Sequence, residues 1–152
     1  MNMSILTVLP IWQAVQGRFQ TMVKALPEQN LSLQIGSASI GSLIRHNAEV
    51  EYMFADWFFG RKIPEEMKEA MAQGAEGDKT SLTSVTELVD LLTASNAHLT
   101  EAMRDLPEEA WHQSVESTFG ASTPLEAIGR LMYHTGIHAG QISLIQKNAG
   151  SQ

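Results

Sequence analysis

Two histidines near the C-terminus, His134 and His138, have the spacing of a metal-binding pair. Residues four apart on a helix lie on one face, one turn apart, so both imidazoles can reach the same ion. Leu131, Ile142 and Ile145 continue this face, which predicts that the pair points into a core and not into water. The spacing alone is a weak signal, because a histidine in an apolar stripe is more often a hydrogen-bonded core residue than a ligand.

A third histidine, His46, takes an apolar position in another predicted helix. The other members of its stripe are large and apolar: Leu43, Val50, Met53, Phe54 and Trp57. Three buried imidazoles are costly unless every ring nitrogen has a partner, and one divalent cation would satisfy all three rings. Zn²⁺ or Ni²⁺ held by three neutral imidazoles keeps positions open for water or substrate, which is typical of reactive sites. We therefore predict a metal site at His46, His134 and His138.

Composition and charge limit the number of domains, the kinds of partner and the kinds of ligand that this protein can have. The 152 residues fit a single domain over residues 1–152, long enough to bury roughly two thirds of the unfolded surface. A net charge of −7 without a Lys/Arg cluster argues against nucleic-acid partners. The absence of cysteine excludes thiolate ligands and a cysteine nucleophile from the protein, and it suits a reducing cytoplasm. No apolar run reaches the ~18 residues of a membrane span, so we expect a soluble, cytoplasmic protein.

Apolar periodicity and capping residues predict four long helices. They cover about residues 7–26, 40–59, 84–105 and 124–148. Starts at Ser4 for the first helix, with Pro10 as a kink, and at Thr80 for the third are open alternatives. A short helix from Pro64 lies in the long connection, followed by GAEGDKT, which either gates a site or only connects. Because no alternating strand pattern is present, we predict an all-α four-helix bundle.

Three glycines, Gly129, Gly136 and Gly140, lie near one face of the last helix. Each costs up to about 1 kcal/mol relative to alanine in a helix, which implies a compensating close approach. Tight helix–helix packing is one explanation, and access of a ligand to the helix backbone is the other. His98 lies off the apolar stripe of the third helix and is expected at the surface.

Two segments resemble the DinB family of bacterial four-helix metalloproteins, whose relatives include YfiT-like proteins and thiol-dependent S-transferases. They are ASIGSLIRHNAEVEYMFADW and STPLEAIGRLMYHTGIHAGQISLIQKNAG, and the likeness covers nearly the whole chain. It implies a four-helix bundle whose metal triad falls on His46, His134 and His138, the same three residues that periodicity selected. Similar proteins include bacillithiol and mycothiol transferases and a thiol-dependent maleylpyruvate isomerase. The resemblance therefore implies a small-thiol cosubstrate, with bacillithiol as the best candidate.

Further site residues are suggested by proximity in sequence. Asn47, Glu49 and Gln141 are near enough to hydrogen-bond the outer nitrogens of ligating imidazoles. Trp57 and Tyr133 are candidates for the wall of a substrate pocket. Each of these residues also has a plainer interpretation, as a polar residue of a helix surface or as a core aromatic.

Three functions are consistent with these observations. The preferred one is a metal-dependent transferase in which the cation lowers the pKa of a small thiol and presents the thiolate to an electrophile. A hydrolase in which the same cation activates water is the second. The third is a metal-stabilised dimeric module that binds a partner without chemistry. The glycines of the last helix, the eight methionines and the family resemblance favour a homodimer.

Overall fold

Four long helices and one short helix form most of the protein, whose computed structural model describes residues 2–76 and 84–149. The helices are α1 (Met3–Lys24), α2 (Ile40–Phe59), α3 (Glu65–Glu76), α4 (Val85–Asp105) and α5 (Pro124–Ala149). Short 3₁₀ helices cover Glu28–Ser32 and Glu108–His112, and a two-stranded antiparallel hairpin pairs β1 (Gln34–Ile35) with β2 (Ala38–Ser39). The predicted all-α four-helix bundle, with a short extra helix between its second and third long helices, is confirmed.

The bundle is arranged so that α1 and α2 each pack against both α4 and α5. Side-chain hydrogen bonds give the directions. Asn2, at the start of α1, donates to the carbonyl oxygen of Leu106 just after α4, at 2.7 Å, so these two helices are antiparallel. Arg61, just after α2, pairs with Glu101 near the end of α4, so α2 and α4 run in the same direction. The chain must therefore travel the length of the bundle between them, which explains the long connection that carries α3.

The start of α1 differs from the preferred prediction, which placed its N-cap at Thr7. The helix begins at Met3, the Asn2 side chain accepts from the Ile5 N–H at 3.2 Å, and Pro10 lies inside the helix. The Ser4 hydroxyl donates to Glu108 at 2.8 Å, which ties the first turn to the segment after α4. These contacts offset the loss of the backbone hydrogen bond that Pro10 cannot donate, because proline has no N–H. The alternative of an early start near Ser4 was the better one.

The other helix boundaries agree with their capping residues. Ser39 caps α2, and Gly60 ends it with a left-handed φ of 70° that glycine adopts without strain. The Ser84 hydroxyl accepts from the Glu87 N–H at the start of α4. Gly74, which was expected to break the short helix, lies within α3. The remainder of the predicted GAEGDKT loop, residues 77–80, and with it the alternative start at Thr80, lie outside the described residues.

The core consists of two apolar regions, one toward each end of the bundle. The first surrounds Trp12, Phe58 and Trp111, and the second surrounds Phe19 and Leu88. A buried polar layer lies between them along the helices, formed by Gln16, Asn47, Glu51, Ser95 and Thr135. Within the described ranges, no helix is long and apolar enough to cross a membrane.

The glycine face of α5 is not packed within the chain. A Cβ atom built on Gly129, Gly136 or Gly140 would meet no atom within 4 Å. All three are exposed, so the expected close contact with another helix is absent from the part of the chain that the structure describes. Tyr133 and Leu144, on the same helix, are 74% and 56% exposed. This leaves an unpaired apolar surface on α5.

Candidate metal centre

The three histidines selected from the sequence meet between α2 and α5. His134 Nε2 lies 3.2 Å from His46 Nε2 and 2.9 Å from His138 Nε2. The possible ligand atoms of all three rings lie within 4.8 Å of one another. His46 comes from α2, whereas the other two occupy successive turns of α5, so the packing of these two helices creates the cluster.

The cluster fits a divalent transition metal ion. Two nitrogens of a tetrahedral site, each 2.0–2.1 Å from the ion, are roughly 3.3 Å apart, close to the 2.9 and 3.2 Å separations found here. In a neutral imidazole the Nε2 atom is either a donor with one proton or an acceptor with one lone pair. Three Nε2 atoms that face one another can therefore form one full hydrogen bond, and the third atom is left without a partner of its own. A shared cation would satisfy all three lone pairs.

Gln141 orients one of the rings. Its Oε1 atom lies 2.6 Å from His138 Nδ1, on the side of the ring opposite the cluster. Since an amide oxygen only accepts, Nδ1 must carry the proton in this contact, which leaves the Nε2 lone pair directed at the other imidazoles. Ligating histidines usually have such an outer partner. Gln141, one of the three polar candidates named from the sequence, therefore contacts a histidine of the cluster.

The charge state of His134 also suits ligation. Burial, together with the smaller effects of the neighbouring His138 and His46 rings, lowers the pKa of His134 to about 4. The ring is therefore neutral at pH 7, as a metal ligand must be. Because the partly buried ring is already neutral, it can bind a metal ion without first losing a proton.

The expectation that all three histidines point into the core is wrong for His46, whose side chain is exposed. The buried face of α2 passes beside it, through Ile44, Asn47, Ala48 and Glu51. His46 lies at the edge of that face, where α2 meets α5. The cluster therefore lies at a solvent-accessible edge of the bundle, and a small molecule can reach it.

Asn47 and Glu49 take part in other contacts. The Asn47 side chain is buried and donates to Glu51 at 3.3 Å, within the polar layer of the core. Glu49 pairs with Arg45 at 3.3 Å, and Arg45 in turn donates to the carbonyl oxygen of Ala70. These contacts hold α3 against α2.

The two aromatic candidates for a pocket wall lie in different surroundings. Trp57 is partly buried on α2, with its ring centroid 5.2 Å from that of Phe119 and 5.9 Å from that of Phe54. Tyr133 is 74% exposed on α5, so most of its side chain faces solvent.

Sequence reasoning missed Arg130, one turn before His134 on α5. Its guanidinium lies 5.5 Å from the ring centroid of Phe54 and 5.9 Å from that of Phe58, both on α2. Arg130 therefore faces α2, as His134 does. The sequence feature that could have identified Arg130 was its spacing of four residues from His134, because residues four apart on a helix share a face.

Glu51 was also missed, although it falls on the buried face of α2. Its carboxyl group accepts from Ser95 at 3.0 Å and from Asn96, and its side chain is 1% exposed. Burial raises the pKa of Glu51 to about 8, against the opposing effect of these hydrogen bonds. The carboxyl group is consequently protonated at neutral pH. The sequence feature that could have identified Glu51 was its spacing, since Glu51 follows Asn47 by four residues and lies on the same face of α2.

His98 differs from its prediction as a surface residue. It is partly buried, and its ring packs against Tyr52 with centroids 4.9 Å apart. Its Nε2 atom is buried without a hydrogen-bond partner among the described residues. Burial lowers the pKa of His98, and the nearby Arg61 adds to the effect. His98 is on α4 and does not belong to the three-histidine group.

Comparison with known proteins places this arrangement in a family. The sequence model of the DinB superfamily matches residues 11–142. A similar solved structure is the crystal structure of a DinB-like protein from Bacillus cereus ATCC 10987 at 2.01 Å resolution. The two folds agree with a TM-score of 0.77 at 21% sequence identity, over 99% of this chain and 95% of the other. No curated protein matches the sequence.

Proposed function

We propose that this chain, which belongs to the DinB superfamily, is a metal-dependent enzyme that transfers a small thiol to an electrophile. The observation that carries the proposal is the convergence of His46, His134 and His138 at a solvent-accessible edge of the bundle. Three protein ligands at an accessible position are typical of catalytic metal sites, whereas structural sites are closed by four.

The residues of the site have separate roles in this proposal. His46, His134 and His138 would hold the ion, and Gln141 keeps the Nε2 atom of His138 free to ligate. Zn²⁺ or Ni²⁺ fits a set of three imidazoles, and such an ion lowers the pKa of a bound thiol so that thiolate is available at neutral pH. The exposure of His46 leaves the approach to the site open to the thiol and the electrophile.

The thiol must come from a second molecule, because the chain contains no cysteine. Bacillithiol is our preferred cosubstrate, on the strength of the resemblance to bacillithiol transferases. A soft electrophile, such as an aryl halide or an epoxide, is the matching acceptor. The thiolate sulfur forms the new bond to carbon, and the halide leaves or the epoxide ring opens to an alcohol.

A metal-dependent hydrolase is the second candidate, because the exposure that admits a thiol also admits water. A metal-stabilised dimeric binding module is the non-enzymatic alternative. The three functions differ in whether they consume a thiol, water or no substrate, so one set of assays separates them.

The test is turnover by the metal-loaded protein with bacillithiol, mycothiol, glutathione, cysteine or no thiol. We expect thiol-dependent consumption of the electrophile that is lost in His138→Ala and retained in His112→Ala, a control at an exposed histidine outside the cluster. Hydrolysis of esters or amides without any thiol would instead support the hydrolase. Inactivity toward every substrate at full metal loading would contradict both enzymatic functions and favour the binding module.

A further inference from the structure

The buried polar layer, extended by the partly buried Asn96, crosses three of the four interfaces between the long helices. Glu51 of α2 accepts from Asn96 of α4, and Asn96 also donates to Gln16 of α1 at 3.4 Å. Gln16 in turn donates to the Thr135 hydroxyl of α5 at 3.4 Å. The fourth interface, between α2 and α5, holds the histidine cluster. The cluster therefore closes a ring of polar contacts that passes through all four helices.

These polar contacts lie at the height of the cluster along the bundle. Thr135 follows His134 directly in the chain. Asn47, which donates to Glu51 at 3.3 Å, follows His46 directly. Successive residues of a helix are about 1.5 Å apart along its axis, so the polar layer meets both α2 and α5 beside a candidate ligand. A displacement of either helix that changes the polar contacts also moves the imidazoles.

Gln16 is the residue that links α5 to α1 and α4 in this layer. Its side chain is 4% exposed and uses both amide groups, because Nε2 donates to Thr135 and Oε1 accepts from Asn96. The other buried residues of α5 are apolar, among them Leu131 and Ile142. Apolar contacts are non-directional and permit one helix to slide slightly along another, whereas a buried amide that loses its partners is destabilising. The hydrogen bonds of Gln16 therefore favour one position of α5 along α1.

We propose that Gln16 and Thr135 are positioning residues of the metal centre, which hold α5 at the height where His134 and His138 meet His46. The inference rests on the proposed function, because it assigns the two residues to the same site. Both act through the backbone of α5, since Thr135 is joined directly to His134. The imidazole nitrogens are 2.9 and 3.2 Å apart, and a functional site must be held to within about 0.5 Å. A shift of α5 by a fraction of a turn would separate these ligands.

The inference is tested with Gln16→Met, which keeps the length of the side chain but removes its donor and acceptor. We expect the affinity of the whole chain for Zn²⁺ to fall about tenfold, as measured by competition with a chromophoric chelator. The free energy of unfolding of the metal-free protein, measured with urea, should change little, because an apolar side chain of similar shape often replaces a buried polar one at little cost. Asn96 also keeps its contacts with Glu51 and Gln20.

Gln13→Leu is the matched control, because Gln13 is exposed and lies three residues before Gln16 on α1. It should leave both the Zn²⁺ affinity and the stability unchanged. An unchanged affinity in Gln16→Met, or an equal loss in the control, would overturn the inference. A strong loss of metal-free stability in Gln16→Met would also overturn it, since Gln16 would then be a packing residue of the core.

Thr135→Val provides a second variant, because it removes the hydroxyl and keeps the branched shape of the side chain. It should lower the Zn²⁺ affinity in the same direction as Gln16→Met. The double variant should lose no more affinity than the weaker-binding single variant, since both substitutions remove one shared contact. Additive losses would show that the two residues act separately and would contradict the proposal.

A metal-free measurement separates this inference from the proposed function. If the unmodified chain binds no Zn²⁺, the proposed function fails, and the positioning role is then decided without metal. The ring centroids of His46 and His134 are 5.1 Å apart, close enough for a nuclear Overhauser effect between ring protons. We expect Gln16→Met and Thr135→Val to weaken this effect and Gln13→Leu to retain it. Equal effects in all the variants would refute the positioning role independently of any metal.

Discussion

His138 Nδ1 lies 2.6 Å from the side-chain oxygen of Gln141, and both residues belong to the same helix. This contact fixes the tautomer of the ring that faces the other two imidazoles. We expect Gln141→Leu to weaken metal affinity by roughly tenfold or more, the usual cost of losing an outer partner of a ligating histidine. Competition with a chromophoric chelator measures this change. Gln146→Leu, on the same helix, is the matched control, and equal losses in the two variants would show that the contact has no such role.

Metal binding should depend on pH in a defined direction. Only neutral imidazoles can ligate, so protons compete with the metal for the three rings as the pH falls. Added Zn²⁺ should raise the melting temperature more at pH 8 than at pH 5. An equal increase at both pH values would argue against ligation by histidine.

Glu51 should make the stability of the fold fall as the pH rises. Between its ordinary pKa of 4.5 and its folded value of about 8, the folded protein retains a proton that the unfolded chain has released. The free energy of unfolding therefore decreases with pH in this window, and the contribution of the neutral carboxyl group is complete only below about 4.5.

The variant Glu51→Gln removes this titration while keeping the shape of the side chain. Relative to the unmodified chain, it should become more stable with rising pH, by up to about 1.4 kcal/mol per pH unit within the window. Urea denaturation from pH 5 to pH 9 measures the free energy of unfolding of both proteins. The histidines are the same in the two proteins, so their contributions cancel in the difference. A difference that does not change with pH would show that Glu51 is ionised in the folded protein.

The exposed apolar surface of α5 leads to a prediction of a homodimer. Tyr133, Ile137 and Leu144 are 74%, 40% and 56% exposed, and Gly136 and Gly140 leave room among them for a close approach. Light scattering should give twice the chain mass at micromolar concentration. Leu144→Glu should shift the protein toward the monomer.

Ile35→Glu provides the control for this substitution, because Ile35 is similarly exposed, at 50%, but lies in the hairpin. A monomer mass for the unmodified chain would contradict the prediction. Equal dissociation in both variants would place the interface elsewhere.

The parts of the fold that were predicted correctly depend on local interactions. The start of α5 illustrates this, because Thr123 and Glu126 exchange hydrogen bonds of 2.8 and 3.0 Å across a single turn. Such pairs are visible in the sequence as residue types at fixed spacing. The three histidines were found in the same way, from helix periodicity together with the family resemblance.

The parts that were not predicted depend on contacts between distant segments. The start of α1 is fixed by Glu108, which is 104 residues away from Ser4. The exposure of His46 depends on where the edge of α2 meets α5, and periodicity gives a helix face only to within about a residue. Arg130 belongs to no motif, and its spacing from His134 gives only a helix face; the rings that it contacts on α2 show where its guanidinium lies.

The metal content of protein purified without a histidine tag tests the central claim most directly. We predict about one transition-metal ion per subunit, as one cluster of three histidines provides. Replacing His46, His134 or His138 by alanine should reduce the metal content sharply, whereas His98→Ala and His112→Ala should leave it unchanged. Equal loss of metal in both groups of variants, or no bound metal in the unmodified protein, would contradict the assignment of the site.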